Sequence, residues 1–96
     1  MPPERITLEH WIAPLVPPFL ERRLVDLAAL QAALATGDEA TMRAIGHRLR
    51  GTCGTFGLAK LSAYGADLEA CPPGGDFRPT VAAIAHFLAT CEITYA

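Results

Sequence analysis

One histidine, His47, stands among basic and small residues of a kind that supports phosphoryl chemistry. The surrounding stretch IGHRLRGTCGTFG, residues 45–57, has the apolar spacing of a helix, and a helical wheel places His47 opposite the apolar side. Arg50 lies three residues later, beside the imidazole, and the donors of a guanidinium suit phosphate oxygens. An imidazole with a pKa of about 6.5 is largely a neutral nucleophile at cytoplasmic pH. The residues therefore predict a site that accepts and donates a phosphoryl group.

Glycines are unusually frequent around this histidine. Each interior glycine costs a helix about 1 kcal/mol relative to alanine. Gly51 and Gly54 lie on the exposed face of the wheel, where core packing gives no reason for them. We interpret both as clearance that lets another protein approach the imidazole. Gly46 lies on the flank, where close contact with a neighbouring helix is the alternative role, and Gly57 is expected to end the helix.

Further residues could border a docking surface for a partner. Arg43 lies on the same helix face as His47, and Arg48 follows His47 directly in the sequence, although exposed helix positions often carry arginine only for solubility. We predict that both arginines, together with Gly51 and Gly54, contact the partner. The preceding helix offers Val25, Ala29 and Leu30 as candidates for an apolar border, and a place in the core is the alternative for some of them.

The chain divides into elements that can hold this helix in place. Prolines interrupt the first eighteen residues, so that at most a short helix, about Leu8 to Ala13, fits between them. Four amphipathic stretches follow, from about Phe19 to Thr36, from Asp38 to Gly57, from Leu58 to Cys71, and from Asp76 or Arg78 to Cys91. In the first of them the predicted apolar side carries Leu20, Leu24, Leu27, Gln31 and Leu34. Gly37 and Asp38 form a C-cap and an N-cap, and the segment CPPGGD, residues 71–76, is a loop.

These elements predict an all-α fold. No stretch alternates with the period of a strand over a useful length, and short connections favour an antiparallel up-and-down four-helix bundle, with the short helix as an addition at the N-terminus. A chain of 96 residues is one domain, 1–96, with its core at about residues 15–95.

Composition excludes several classes of protein. With 51% hydrophobic and 19% charged residues the chain is globular, and no apolar run is long enough to span a membrane. The net charge of −2 hides a basic zone, since residues 41–60 hold four basic residues and no acid. One such zone suits an acidic or phosphorylated protein better than a nucleic acid. The three cysteines fit neither a disulfide framework nor a metal site, and the start of the chain is not a secretory signal, so we expect a cytoplasmic protein without a bound metal.

The string GHRLRGTCGTFGLAKLSAYGADLE resembles the signature of histidine-containing phosphotransfer (HPt) domains. In that signature an Ala-His-x-Leu-Lys-Gly core precedes small residues, a glycine, and a closing Leu-Glu. The lead-in ALQAALATGDEATMRAI also fits the family, and the resemblance covers about residues 15–90. The chain departs from the pattern with Gly46 for alanine, Arg50 for lysine, and Thr52 and Cys53 for serine or alanine.

The resemblance implies a phosphorelay carrier. His47 would be phosphorylated, Arg50 would steady the phosphate, and Gly51 would leave room for the partner. The phosphoryl group would come from an aspartyl phosphate on a receiver domain, and receiver domains of hybrid histidine kinases and response regulators would be the partners. Mg²⁺ is then expected on the partner, and this chain should bind no cofactor. We expect a monomer that is a phosphocarrier rather than a turnover enzyme.

Two other classes of function compete with this interpretation. The same bundle could bind a receiver domain without transferring phosphate. A hydrolase or metal enzyme is disfavoured, because the helix has no Asp or Glu near enough to orient the imidazole and the chain lacks metal-ligand spacing. No nucleotide-binding loop is present, so ATP-dependent kinase activity is not expected. The basic zone also predicts fast, salt-sensitive association with an acidic receiver pocket.

Overall fold

The structure, a computed structural model, describes residues 5–96, and these form four α-helices, one 3-10 helix and two short strands. The prolines at positions 2 and 3 lie outside the described residues. The elements in chain order are β1 Arg5–Leu8, the 3-10 helix His10–Leu15, α1 Val16–Thr36, α2 Glu39–Thr55, α3 Ala59–Ala70, α4 Arg78–Thr90 and β2 Glu92–Tyr95. The prediction of a mostly helical chain with four main helices is confirmed.

The turn between α1 and α2 follows from two adjacent residues. Gly37 ends α1 in the left-handed conformation, with φ of 71°, which glycine adopts without steric cost. Asp38 then caps α2, because its carboxylate accepts hydrogen bonds from the amide of Thr41 at 3.2 Å and from its hydroxyl at 2.6 Å. Both caps agree with the sequence prediction. They fix the start of the helix that carries His47.

Helix α1 begins earlier than predicted, and its buried side is only partly the predicted one. Prolines occupy its first turn, where their missing amide hydrogens cost nothing, so the helix starts at Val16 rather than near Phe19. Leu24, expected in the core, is 51% exposed, and Leu30, expected at the docking border, is fully buried. The predicted stripe is confirmed in part, since Leu20, Leu27 and Leu34 pack against the core. It misses the centre of the buried side, which includes Arg23 and Asp26, because an apolar wheel assigns charged residues to solvent.

The core is formed by apolar residues from all four α-helices. Its fully buried members are Leu30, Met42, Leu49, Cys53, Leu58, Leu61, Leu68 and Ile84. At one end of the core the rings of Phe19 and Phe56 stack, with their centroids 4.1 Å apart. All three cysteines are free thiols, of which Cys53 is buried and the other two are half-buried.

Helices α2 and α3 cross closely at a pair of glycines. A Cβ atom on Gly46 would come within 2.6 Å of the carbonyl oxygen of Gly65, and one on Gly65 within 2.6 Å of the carbonyl oxygen of Gly46. Neither backbone position can accept a side chain without moving the helices apart. The alternative role of Gly46, close contact with a neighbouring helix, is therefore confirmed, and Gly65 is its partner in α3.

Two strands that the sequence did not predict join the ends of the described chain. Strand β1 pairs in parallel with β2, so that Arg5 is opposite Glu92 and Leu8 is opposite Tyr95. Both strands alternate polar and apolar residues, but each has only four residues, the shortest alternation that indicates a strand, and the prediction from the sequence omitted such short runs. The expectation of a purely α-helical chain is corrected on this point.

No helix within residues 5–96 is long and apolar enough to cross a membrane.

Candidate functional site

His47 lies on the exposed side of α2, as the wheel predicts. Its side chain is 66% exposed, whereas Ile45 and Leu49, which flank it in sequence, are buried in the core. The helix thus holds the imidazole at the surface while its opposite side anchors the helix. A partner protein can therefore reach His47 without any rearrangement of the core.

A carboxylate from α3 contacts the imidazole. Glu69 Oε2 lies 2.5 Å from His47 Nδ1, and Glu69 Oε1 lies 3.1 Å from Arg50 Nη1. Arg50 Nη2 lies 3.5 Å from the same His47 nitrogen. These three residues form the His47 cluster. The prediction from the sequence considered only acids within α2, and none of those contacts the ring; the carboxylate beside His47 is that of Glu69 in α3.

The Gly46–Gly65 crossing explains why Glu69 reaches His47. The crossing brings the backbones of α2 and α3 into contact at the residue before His47 and one turn before Glu69, and a Cβ on Gly46 would lie 3.0 Å from the amide nitrogen of Glu69. A wider spacing between the helices would move the carboxylate away from the ring. Gly46 therefore acts on the site through the position of α3.

The contact with Glu69 distinguishes the two ring nitrogens. A neutral imidazole carries one proton, and a carboxylate is an acceptor only, so the proton belongs on Nδ1 where it donates to Glu69. Nε2 of His47 then keeps a free lone pair. In the neutral ring, this contact favours the tautomer that carries its proton on Nδ1.

The two glycines predicted to give clearance differ in their surroundings. A Cβ on Gly51 would meet no atom within 4 Å, so the helix surface next to Arg50 is open. A Cβ on Gly54 would lie 3.4 Å from the Ser62 hydroxyl of α3. Gly51 thus leaves space for an approaching molecule, while Gly54 also borders the packing of α3.

The basic zone of the sequence is largely neutralised in the structure. Arg43 pairs with Glu39 at 3.0 Å and also donates to the Cys71 carbonyl oxygen at 3.0 Å. Arg48 pairs with Asp26 of α1 at 2.5 Å. Since Arg50 is paired with Glu69, each of the three arginines faces a carboxylate from outside residues 41–60.

These contacts assign different surroundings to the predicted docking arginines. Arg43 fastens α2 to the loop after α3 and lies over the ring of Phe77, with the guanidinium carbon 5.4 Å from its centroid. Arg48 is still 55% exposed, at the junction of α1 and α2. Val25 of the predicted apolar border is 70% exposed, and Ala29 is also exposed. Docking roles for the two arginines stay predictions.

Sequence reasoning missed the most informative residue of the site. Glu69 is 22 residues away from His47 along the chain. The signal that could have found it was the Leu68-Glu69 pair, which closes the resemblance to the phosphotransfer signature. Within residues 5–96 no group of three or more His, Cys, Asp or Glu side chains could hold a metal ion.

The four helices display an exposed histidine beside a guanidinium and a carboxylate. This combination is typical of a helical phosphotransfer domain. The chain belongs to the Hpt domain family, which it matches over residues 16–93. Its general role is therefore histidine phosphotransfer in phosphorelays, in which domains of this family interact with receiver domains. No match to the chain was found among curated proteins or solved structures.

Proposed function

We propose that His47 carries the phosphoryl group, which it accepts on Nε2 from the aspartyl phosphate of one receiver domain and passes to the aspartate of another. The observation that carries the proposal is the exposed imidazole whose Nδ1 lies 2.5 Å from the Glu69 carboxylate. This contact leaves Nε2 as the nitrogen with a free lone pair.

On the carrier, His47 and Glu69 are sufficient to account for the bonds and the charge of the transfer step. The Nε2 lone pair attacks phosphorus, the bond from phosphorus to the aspartyl oxygen breaks, and the receiver aspartate leaves as a carboxylate. The ring becomes positively charged while its Nδ1 proton stays on the hydrogen bond to Glu69, and the carboxylate stabilises that charge. The reverse sequence delivers the group to the second receiver.

Arg50 is proposed to steady the phosphoryl group. Its side chain is 51% exposed and is held by Glu69, which keeps it beside the ring. A guanidinium has five donors, so it can keep one contact with Glu69 and offer the others to phosphate oxygens. The carboxylate therefore positions both the nucleophile and the cation.

The remaining requirements fall on the partner. Mg²⁺ and the receiver carboxylates would supply the electrophilic end of the site, and the carrier itself would bind no cofactor and use no ATP. Catalysis would then consist mainly of positioning and charge stabilisation shared across the interface. This division fits a phosphocarrier rather than an enzyme with turnover.

The scaffold is proposed to be an antiparallel up-and-down bundle in a single monomeric domain. Contacts between α2 and α3 support this arrangement, because they pair residues in opposite chain order. Arg43 contacts Cys71, Gly46 approaches Leu68, and the carbonyl of Arg50 accepts from Ser62. The same reversal holds between α1 and α2, where Phe19 stacks on Phe56 and Asp26 meets Arg48.

The receiver domain is proposed to dock on the exposed side of α2 and the adjacent side of α1. Gly51, Gly54 and Arg48 would lie at the centre of this surface, and Arg43 at its edge. Because the arginines are paired with carboxylates, attraction between a basic carrier and an acidic receiver should be weaker than the sequence suggests. We therefore expect only a moderate decrease in association rate with added salt.

The test is incubation of the protein with a phosphorylated receiver domain and Mg²⁺. Acid-labile phosphate should appear on wild type and be absent from His47→Gln, which keeps a polar side chain at an exposed position. A receiver that binds but transfers nothing would support the competing function, an adaptor without transfer. Transfer by His47→Gln at the wild-type rate would show that another residue carries the phosphate.

A further inference from the structure

An apolar groove lies beyond the His47 cluster, between the 3-10 helix and the end of α2. Its volume is about 450 Å³, and its lining includes Trp11, Ile12, Leu15, Thr55, Phe56 and Gly57. The 3-10 helix forms one wall and the last turn of α2 the other. The groove is therefore built jointly by the helix that carries His47 and by the segment that precedes α1.

Two large apolar side chains of this groove are exposed. Trp11 is 71% exposed and Leu15 is 49% exposed. The indole N–H of Trp11 donates to the carboxylate of Glu9, which also lines the groove. This hydrogen bond holds the indole ring in place and occupies the carboxylate. Exposed apolar side chains grouped around a groove are typical of a binding surface, because leaving them in water is unfavourable unless a partner covers them.

The groove is continuous with the surface proposed for the receiver domain. Thr55 follows His47 by eight residues in α2, which corresponds to about 12 Å along a helix axis. Gly51 lies between them, with open space around it. A small transient interface covers roughly 600 Å² of each partner, equivalent to a disc with a radius of about 14 Å. A receiver centred on His47 would thus reach the groove.

We propose that this groove binds an apolar surface segment of the receiver domain and so selects among receivers. The proposal rests on the proposed phosphocarrier function and adds a second contact to it. Trp11 and Leu15 precede residues 16–93, the part of the chain that matches the Hpt domain family. The exposed wall of the groove thus lies outside the part of the chain that matches the family, where it would distinguish partners that the His47 cluster would treat alike.

The first experiment uses the sole tryptophan of the chain as a probe. Receiver domains that exchange phosphate with wild type are titrated, in a tryptophan-free form, into the full chain. Trp11 emission should shift to shorter wavelength on binding, and the His47→Gln variant should show the same shift because it keeps the groove. An unchanged emission spectrum at saturation would overturn the proposal.

The second experiment compares Trp11→Ala with Leu24→Ala. Both side chains are exposed, but Leu24 lies on the side of α1 away from its buried residues. Trp11→Ala should raise the KM for transfer from the phosphorylated receiver about tenfold, with kcat within twofold of wild type, since tryptophan often dominates an interface. Leu24→Ala should change neither constant.

The outcomes separate the two proposals. If wild type gains no phosphate from any receiver, the proposed function fails and the groove proposal fails with it. If wild type transfers and Trp11→Ala has an unchanged KM, only the groove proposal is wrong. If Trp11→Ala instead changes only the oligomeric state measured by sedimentation, a second copy of the chain occupies the groove and the proposal is also overturned.

Discussion

Two clusters of charged residues flank α2, and they differ in exposure to solvent. On the α3 side, the His47 cluster is open, with side-chain exposures of 66% for His47 and 31% for Glu69. On the α1 side lies the Asp26 cluster, formed by Arg23, Asp26 and Arg48, in which Arg23 and Asp26 have side-chain exposures of only 6% and 8%. The same helix thus carries similar ionic contacts in two very different environments.

The difference separates a functional cluster from a structural one. Exposed ion pairs contribute little to stability, because water competes with the contact. In the Asp26 cluster the charges are removed from water, and Arg23 Nε lies 3.1 Å from Asp26 without hydrogen-bond alignment. Burial also raises the pKa of the neighbouring Cys53 thiol, and the charge of Arg23 acts in the opposite direction. Loss of one buried partner should therefore affect folding, whereas loss of an exposed one should affect chemistry.

The largest effect is expected for Asp26→Ala. This change leaves the buried Arg23 guanidinium without its carboxylate, and removal of one partner from a buried ion pair costs about 3–5 kcal/mol. The free energy of unfolding, measured by urea denaturation, should fall by that amount. Phosphotransfer per folded molecule should stay near the wild-type value.

A double variant provides the control for this prediction. Arg23→Met combined with Asp26→Leu replaces both buried charges with apolar side chains, which is often neutral or stabilising. It should regain most of the stability lost in Asp26→Ala. If Asp26→Ala unfolds at the wild-type urea concentration, the Asp26 cluster does not have the structural role assigned to it.

The next effect concerns two glycines of α2, whose replacement by alanine should change the free energy of unfolding in opposite directions. Gly46→Ala would place a Cβ 2.6 Å from the Gly65 carbonyl oxygen, and such overpacking typically costs about 1–3 kcal/mol. Gly51→Ala meets no atom within 4 Å and should stabilise the helix by about 1 kcal/mol. Urea denaturation of both variants measures the free energy of unfolding, which should fall for Gly46→Ala and rise for Gly51→Ala.

The same pair of variants tests the clearance at His47. Gly51→Ala should slow phosphotransfer even though it is more stable, because its methyl group fills space needed by the receiver. Gly46→Ala should slow transfer by moving Glu69 away from the ring. A Gly51→Ala variant with unchanged transfer would show that the open surface beside Arg50 is not used by the partner.

The third effect belongs to the His47 cluster alone. Glu69→Gln keeps the size of the side chain but removes the charge that stabilises the imidazolium and holds Arg50. The transfer rate constant should fall about tenfold, in the range seen when an orienting group is weakened. Unfolding in urea should change by less than about 1 kcal/mol, because the pair is partly exposed. Equal losses of rate and stability would remove the distinction between the clusters.

The sequence was sufficient for several features that depend only on neighbours within one helix. The caps at Gly37 and Asp38, the exposure of His47 and the burial of Leu49 all follow from local spacing. Glycine clearance at Gly51 was predicted from the same wheel. Such features need no knowledge of how the helices pack.

Contacts between elements could not be obtained in this way. The crossing at Gly65 sets which side of α3 faces His47, so Glu69 becomes visible only once the helices are packed. Arg23 and Asp26 are buried although both are charged. Their burial depends on the ion pair between them and on the contact of Asp26 with Arg48. Apolar periodicity indicates only the burial of apolar residues, which is why the predicted stripe of α1 omitted Arg23 and Asp26.

The smallest effect concerns the start of α2, the helix that both clusters share. Hydrogen bonds from Thr41 lower the pKa of Asp38 below its usual value of 3.8. A carboxyl whose pKa is lowered by folding stabilises the protein above its unfolded pKa and loses that contribution as the pH falls through its folded pKa. Asp38→Ala should therefore lower the urea midpoint at about pH 7, and the difference from wild type should shrink by about pH 3. Because the cap precedes both clusters, transfer per folded molecule should not change, and a difference in midpoint that is constant with pH would show that the charge of Asp38 contributes nothing.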